Sequence, residues 1–304
     1  MYTVPDQSAR RFVITGANSG TGLEATRRIA AAGGHVVMGV RSLEKGDKAR
    51  EEILRENPGA HLEVLQVDLA DLSSVRDFAA GLLEQAQPIS ALVNNAGLMA
   101  PPQRMTTVDG FELQFGTNFL GPFALTNLLL PRLLTTLNPR VTTMSSGVAA
   151  IGRIHFDDLQ SVARYSPYLA YGQSKLADLL MATLLAAVAT DRGWDLLSTS
   201  AHPGYTRTNL QTSGANLGRS EPRRRLLGER TIIPSQDVEQ GTEPLLYAAT
   251  SPDARQGAYY GPGGTLGMVG ETKRIPLPRS ARGIDLAKSL WTVAEDLTGT
   301  SLPD

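Results

Sequence analysis

The chain has 304 residues, of which 41% are hydrophobic, and this is ample to bury a core. Its 29 basic and 30 acidic residues give a net charge of -1, so no overall charge attracts nucleic acid or an anionic membrane. The absence of cysteine excludes disulfides and thiol catalysis, and the 4 histidines lie too far apart in the sequence to suggest a metal site.

Short β-rich runs alternate along the chain with helical stretches. The predicted strands are 11–15, 35–40, 62–67, 91–94, 140–144, 196–200 and 258–260. The predicted helices are at about 22–32, 43–56, 73–84, 118–137 and 171–190. Strict alternation predicts parallel strands with helices on both faces, and right-handed crossovers then give a doubly wound α/β sheet of seven strands.

No linker separates these elements, so we expect a single domain over residues 1–304 with a C-terminal extension from about 261. The segment 208–236 is rich in Gly, Pro and Arg, which predicts a mobile substrate lid; a basic arm for nucleic acid, formed by Arg223, Arg224 and Arg225, is the alternative. The first eleven residues lack the apolar core of a signal peptide, and the longest apolar run, 179–189, is too short to span a bilayer. A soluble, cytoplasmic protein is therefore expected.

A glycine-rich turn follows the first predicted strand and opens the first helix. Its glycines allow a tight turn in which backbone N–H groups approach a pyrophosphate, and the helix N-terminus adds a favourable partial charge. The spacing is Gly-x-x-x-Gly-x-Gly rather than the commoner Gly-x-Gly-x-x-Gly. We predict a dinucleotide site here, because a plain strand-to-helix connection explains the position less well. The candidate residues are Gly16, Asn18, Ser19, Gly20, Thr21 and Gly22.

The end of the second strand bears on the choice of cofactor. A dinucleotide without a 2′-phosphate usually meets an acidic residue there. Here the strand ends in Arg41 and Ser42, and a guanidinium binds a phosphate that a carboxylate would repel. We therefore predict NADP(H), with NAD(H) as the alternative; Arg41 could also be a solvated residue at a strand end.

Further motifs complete a family pattern. They are Asn94-Asn95-Ala96-Gly97 after the fourth strand, Asn118, Ser145-Ser146 after the fifth strand, Tyr171-Gly-Gln-Ser-Lys175, and Pro203-Gly204 after the sixth. In this order, from about residue 11 to 260, the chain resembles the short-chain dehydrogenase/reductase superfamily, which implies a Rossmann-type fold. Residues 152–159, Lys175-Leu-Ala and the tail 290–299 are most similar to the retinol-dehydrogenase-like branch.

The chemistry expected of Tyr171 is proton transfer. Hydride transfer to a carbonyl leaves an alkoxide that must be protonated, and the reverse reaction needs a base. A free tyrosine has a pKa near 10, so its anion needs stabilisation. Lys175 follows four residues later and emerges on the same helical face, where its ammonium favours the phenolate; an exposed Tyr and Lys that merely neighbour each other are the alternative. Ser146 would donate to the oxyanion, and Ser145 is its rival.

The resemblance implies further roles. Lys175 would also hold the nicotinamide ribose, and Asn118 would hold a water that links Lys175 to solvent. Asp68, with Leu69, would contact the adenine, or Asp68 would instead cap the next helix. Asn94 would contact the adenosine ribose or brace the sheet, and Ala96 and Gly97 would bring backbone close to the cofactor. The carboxamide would be held by Pro203, Gly204, Thr206 and Thr208, unless these form an ordinary Pro-Gly turn.

The variable segments should select the substrate, a small, hydrophobic carbonyl compound or alcohol. Their apolar candidates are Leu98, Met99, Val148, Ile151, Tyr165, Tyr205 and Leu210. The helix at 179–189 is apolar nearly all round, and the face left over could build a homodimer or homotetramer. A non-catalytic regulator that binds dinucleotide on the same fold remains the alternative function.

Overall fold

The strands are arranged in an order that reverses in the middle of one sheet. The structure, a computed structural model, describes residues 1–207, 217 and 234–303. The order is β3-β2-β1-β4-β5-β6-β7-β8, with β1 Arg11–Thr15, β2 His35–Val40, β3 Leu62–Gln66, β4 Ala91–Asn94, β5 Arg140–Met144, β6 Leu197–Ala201, β7 Tyr259–Pro262 and β8 Thr272–Ile275. Strands β1 to β7 are parallel, which confirms a doubly wound, Rossmann-type sheet. The order reverses between β1 and β4, and ligands bind such sheets at this point.

An eighth strand, which the sequence analysis did not predict, extends the sheet beyond β7. It runs antiparallel, with Tyr259 opposite Ile275. Its two middle residues, Lys273 and Arg274, are exposed. Charged residues on an edge strand discourage pairing with another chain, and they also remove the apolar pattern by which strands are recognised.

The helices begin and end near the predicted positions, with three differences. They are α1 Gly20–Ala31, α2 Leu43–Glu56, α3 Leu72–Glu84, α4 Gly121–Leu133, α5 Pro167–Asp191, α6 Val238–Thr250 and α7 Ile284–Thr298. Helix α5 begins four residues before Tyr171, because proline suits the first position of a helix. A helical turn, Leu113–Phe115, and a π-helix, Gly116–Leu120, precede α4, so Asn118 lies within the π-helix. Helices α6 and α7 were not predicted.

Alternate side chains of each central strand enter two separate cores. Val13 and Leu92 pack with helices α3, α4, α5 and α7 on one face of the sheet. Phe12 and Val93 pack with α1, α2 and α6 on the other face. The expected helices on both faces are therefore confirmed, and both sides of the parallel sheet are buried as such sheets require.

The apolar surface of α5 is covered by the chain's own C-terminal helix. Helix α7 packs along α5 and buries Leu290, Trp291 and Ala294 there. The Trp291 ring meets Phe123 of α4 edge-on, with centroids 4.7 Å apart. This packing accounts for much of the apolar surface from which an oligomer was expected, and the oligomeric state stays a prediction. Among the described residues, no helix is long and apolar enough to cross a membrane.

Candidate active site

The turn between β1 and α1 requires glycine at three positions. Gly16 and Gly20 have φ of 67° and 53°, in the left-handed region that favours glycine. Gly16 N donates to Gly39 O at 2.8 Å, which ties the turn to the end of β2. A Cβ on Gly22 would lie only 2.3 Å from Gly16 O, so the helix approaches the turn more closely than any side chain permits.

Asn95 braces this turn from β4, a role that the sequence analysis missed. Its Nδ2 donates to Thr15 O at 2.9 Å, and its Oδ1 accepts from Thr21 Oγ1 at 2.8 Å. The backbone N–H groups of Asn95 and Ala96 both donate to Thr15 Oγ1 at 3.1 Å. The turn is thus held in shape by the neighbouring strand, and an amide directly after β4 was the available signal.

The N-terminus of α1 fits an anionic group. Ser19 is the N-cap residue, with extended backbone, and its side chain makes no capping hydrogen bond to the described residues. The first N–H groups of the helix therefore keep the capacity to bind phosphate oxygens, and the helix dipole favours negative charge there. Asn18 is half-buried beside them. Together with the glycine turn, this N-terminus presents N–H donors of the kind that bind an anion.

Arg41 and Ser42 lie at the carboxyl end of β2, next to the glycine turn. The Arg41 side chain is exposed and makes no ion pair with any residue in the described ranges, and only its carbonyl is engaged, by Gln66 Nε2 at 3.2 Å. Ser42 caps α2 by accepting from Lys45 N at 3.4 Å. Ser42 therefore has a structural use, while the Arg41 guanidinium is available to a phosphate.

The predicted site residues after β3 and at the end of β4 make contacts within the protein. Asp68 Oδ1 accepts from Ala70 N at 2.9 Å, and the cap of α3 is Asp71, so the expectation of Asp68 as a helix cap is wrong. Asn94 is 3% exposed and donates to Thr126 Oγ1 of α4 at 2.9 Å, which is the bracing role. Leu69 is buried against Gly121.

Tyr171, Ser146 and Lys175 meet at the carboxyl end of β5. The phenol of Tyr171 is buried, and the Ser146 hydroxyl and the Lys175 ammonium are the polar neighbours that act on it. Burial raises the pKa of Tyr171, whereas the Lys175 ammonium and the Ser146 hydroxyl oppose that rise. Lys175 Nζ donates to Met144 O at 3.0 Å and to Asp178 Oδ2 at 2.8 Å. The phenol, the hydroxyl and the ammonium thus form one polar group in an apolar setting.

The two serines after β5 have different environments. Ser145 is 2% exposed, and its Oγ donates to Lys175 O at 2.6 Å, which holds α5 against the strand end. Ser146 is only partly buried and accepts from Val148 N at a long 3.5 Å. Ser146 can therefore turn its proton toward a ligand, and Ser145 cannot do so without releasing the helix.

Asn118 links the loop after β4 to α5. Its Oδ1 accepts from Leu98 N at 2.8 Å, and its Nδ2 donates to Leu98 O at 3.0 Å and to Ser174 Oγ at 2.9 Å. A Cβ on Gly97 would lie 3.1 Å from Asn118 Oδ1 and 3.5 Å from Lys175 Nζ, so both groups border the space in front of Gly97. Asn118 fixes the wall of the site, and the water that the resemblance implies stays a prediction.

The loop after β6 is anchored by Thr206, which was a predicted site residue, and by His202 and Gln236, which were not. Gly204 has a φ of 63°, and its amide donates to His202 Nδ1 at 3.2 Å. Thr206 Oγ1 and Gln236 Nε2 both donate to Pro203 O, the second at 2.8 Å. These bonds tie the Pro203–Thr206 segment to Gln236, at the carboxyl end of β6, which is paired with the end of β5. The predictions for Thr208, Leu210 and Arg223 to Arg225 lie outside the described residues.

The residues expected to line the substrate pocket differ in exposure and in the contacts that they already make. The Tyr165 hydroxyl donates to Pro101 O at 2.9 Å and so holds a loop. Ile151 is 78% exposed at the rim, and Leu98, Met99 and Val148 are half-buried. Tyr259 of β7, which was not predicted for the site, is buried and donates to Ser146 O at 3.4 Å.

Comparison with known proteins gives consistent matches. A family model described as short chain dehydrogenase matches residues 10–216. Retinol dehydrogenase 13 of Homo sapiens is 33% identical over 304 residues, covering 99% of this chain and 87% of that protein. Polyprenol dehydrogenase of Mus musculus is 36% identical over 300 residues, covering 97% of this chain and 86% of that protein. The crystal structure of an uncharacterized protein from Mycobacterium paratuberculosis has a TM-score of 0.81 and 40% identity, covering 99% of this chain and 97% of that chain.

Proposed function

The chain belongs to the short-chain dehydrogenase family, and we propose that it transfers a hydride between NADP(H) and the carbon of an apolar carbonyl compound or alcohol, with Tyr171 as general acid and base. Resemblance to this family and to its retinol-dehydrogenase-like branch is thereby confirmed, and with it an oxidoreductase of alcohol and carbonyl groups.

One observation supports the role of Tyr171 above the others. Its buried phenol has the Ser146 hydroxyl and the Lys175 ammonium as polar neighbours, at the strand ends where this fold binds ligands. A proton donor, an oxyanion donor and a stabilising cation are then within one site. These are the groups that reduction of a carbonyl requires.

The cofactor assignment depends on the glycine turn and on Arg41. The turn and the uncapped start of α1 fit a pyrophosphate, and the exposed guanidinium of Arg41 at the neighbouring strand end fits a 2′-phosphate. Bound NADPH supplies the hydride. The Pro203–Thr206 backbone and Lys175 would hold the nicotinamide.

Side chains of the protein then transfer the proton. Ser146 donates a hydrogen bond to the substrate oxygen and holds it near the phenol. Tyr171 delivers its proton to that oxygen in reduction and takes the proton back in oxidation. Lys175 stabilises the phenolate that remains, and Ser145 keeps Lys175 in register by holding its backbone carbonyl at 2.6 Å.

The substrate is proposed to be apolar. Leu98, Met99, Val148 and Ile151 are apolar, keep exposed surface and follow the strand ends, so they are the residues we assign to the substrate wall. The names of two relatives, a retinol dehydrogenase and a polyprenol dehydrogenase, denote apolar alcohols and support the same class.

The experiment is NADPH oxidation against a panel of apolar aldehydes and ketones, with wild type and Tyr171→Phe. Loss of the phenol proton should lower kcat by about 10²-fold or more, while the Kd for NADPH, measured by fluorescence, stays within about twofold. Tyr168→Phe is the matched control, because Tyr168 lies on the same helix but is 70% exposed. Retained turnover in Tyr171→Phe refutes the acid/base assignment. Tight NADPH binding without turnover on any panel member favours the non-catalytic regulator.

A further inference from the structure

Helix α5 buries a carboxylate next to the proposed acid/base. Asp178 lies three residues beyond Lys175, and its Oδ2 is 2.8 Å from Lys175 Nζ. Its side chain has no exposed surface, and its Oδ1 has no hydrogen-bond partner among the described residues. It is the only charged residue between Leu176 and Thr190 in an otherwise apolar helix. A charge in such a place needs its partner.

The pairing changes the charge that Tyr171 experiences. Burial raises the pKa of Asp178 to about 7, and the ammonium opposes that rise. Burial by itself lowers the pKa of Lys175, but the carboxylate reverses this and the net pKa is raised. Lys175 therefore stays cationic, while the adjacent carboxylate cancels part of its charge. The charged or titratable groups that act on the phenol are Lys175 and Asp178 on its own helix and Tyr259 on β7.

We propose that Asp178 is a positioning residue, which anchors the Lys175 ammonium and, by its negative charge, strengthens the hold of Tyr171 on its proton. This rests on the proposed function, because Asp178 acts only through Lys175 and Tyr171. In reduction, the hydride of NADPH would pass to the carbonyl carbon of the substrate. The Tyr171 O–H bond breaks, and its proton moves to the carbonyl oxygen. The phenolate left behind is less stable beside Asp178, so it regains a proton from solvent more readily. The phenol is thus kept protonated, as reduction requires, and oxidation needs a higher pH.

A purely structural role for Asp178 makes a different prediction. If the carboxylate served only to satisfy the ammonium, an uncharged hydrogen-bond acceptor would leave the proton affinity of Tyr171 unchanged. Asp178→Asn offers such an acceptor, since the amide oxygen can accept from Lys175 Nζ. Asp178→Glu keeps the charge and changes the shape. The two substitutions therefore separate charge from shape.

The test is a spectrophotometric titration of tyrosinate near 295 nm on the protein without cofactor. The signal of Tyr171 is the difference between each protein and the same protein carrying Tyr171→Phe. Asp178→Asn should lower the midpoint by about one pH unit, the scale expected on removing a neighbouring like charge. Asp178→Glu should leave it near the wild-type value. Asp191→Asn, an exposed carboxylate on the same helix, is the matched control and should not shift it.

A second measurement uses turnover. The acidic limb of kcat/KM for alcohol oxidation should move to lower pH in Asp178→Asn by the same amount, whereas a structural defect would lower the whole profile without moving it. If Asp178→Asn does not fold, Asp178→Ser replaces it. A midpoint that is unchanged or raised on loss of the charge overturns the proposal. Because the titration needs no substrate, this failure is distinct from retained activity in Tyr171→Phe, which overturns the proposed function.

Discussion

Replacement of Gly22 by alanine tests the close approach of α1 to the glycine-rich turn. The added Cβ would lie 2.3 Å from Gly16 O and 2.4 Å from Asn95 Nδ2, whereas Cβ contacts in proteins essentially never fall below 3.0 Å. Neither neighbour can move freely, because Asn95 Nδ2 also donates to Thr15 O and Gly16 N donates to Gly39 O. Overpacking of this kind costs about 2–3 kcal/mol, and the better helix propensity of alanine returns about 1 kcal/mol. The net loss is therefore about 1–2 kcal/mol.

This loss corresponds to a fall in Tm of about 2–3 °C, measured by circular dichroism. The Kd for NADPH, followed by quenching of protein fluorescence, should rise by about tenfold or more, because the turn that approaches the pyrophosphate is displaced. Gly81→Ala is the matched control. Gly81 lies in α3 with no atom within 4 Å of its added Cβ, so the same substitution should stabilise the protein by about 0.5–1 kcal/mol. A Gly22→Ala protein with unchanged Tm and NADPH affinity would refute the geometry of the turn.

Four further substitutions test other parts of the protein. Arg41→Asp should lower the ratio of kcat/KM for NADPH to that for NADH by about tenfold or more, and an unchanged ratio would remove Arg41 from the cofactor site. Ser146→Ala should lower kcat by about 10²-fold at unchanged Tm. Ser145→Ala should instead lose about 1 kcal/mol of stability, because it loses a buried hydrogen bond. If Ser145→Ala lowered kcat and Ser146→Ala lowered only the stability, the roles of the two serines would be exchanged. Burial lowers the pKa of His202 to about 4, so the unfolded chain binds a proton that the folded protein excludes. The free energy of unfolding should then fall by up to about 3 kcal/mol as the pH drops from about 6.5 to 4. In urea titrations, the free energy of unfolding of His202→Gln should lack this pH-dependent fall. Identical pH profiles for His202→Gln and the wild type would contradict the role of His202.

The sequence predicts the centre of the sheet well and its margin poorly. Strands β1, β2 and β4 are buried on both faces, so each is an unbroken apolar run that stands out in the sequence. β8 has only four residues, and its exposed Lys273 and Arg274 are adjacent and so point to opposite faces, which leaves no alternating pattern to mark it. Helix α4 was expected to begin near Asn118, whereas it begins at Gly121 and is preceded by a π-helix that the apolar pattern does not distinguish from an α-helix.

Much of the candidate site could be inferred because its chemistry depends on local spacing. Tyr171 and Lys175 share one helical face, and the glycine turn has a fixed length. The contacts of Asn95, Gln236 and Asp178 could not be inferred, because they depend on which strand or loop each side chain meets after folding. Asp178 also lies on an apolar helix, where the sequence gives no indication of the face that is buried.

Helix α7 packs on α5, the helix that carries the proposed catalytic residues. Trp291 and Leu290 belong to the same core cluster as Leu179 and Leu180, which lie on the helix that carries Tyr171 and Lys175. Loss of residues 284–298 would expose that apolar surface to water and free the helix to shift. A truncation or bulky fusion near the C-terminus would then act as an active-site lesion, and preparations tagged at that end would understate the turnover of the intact enzyme.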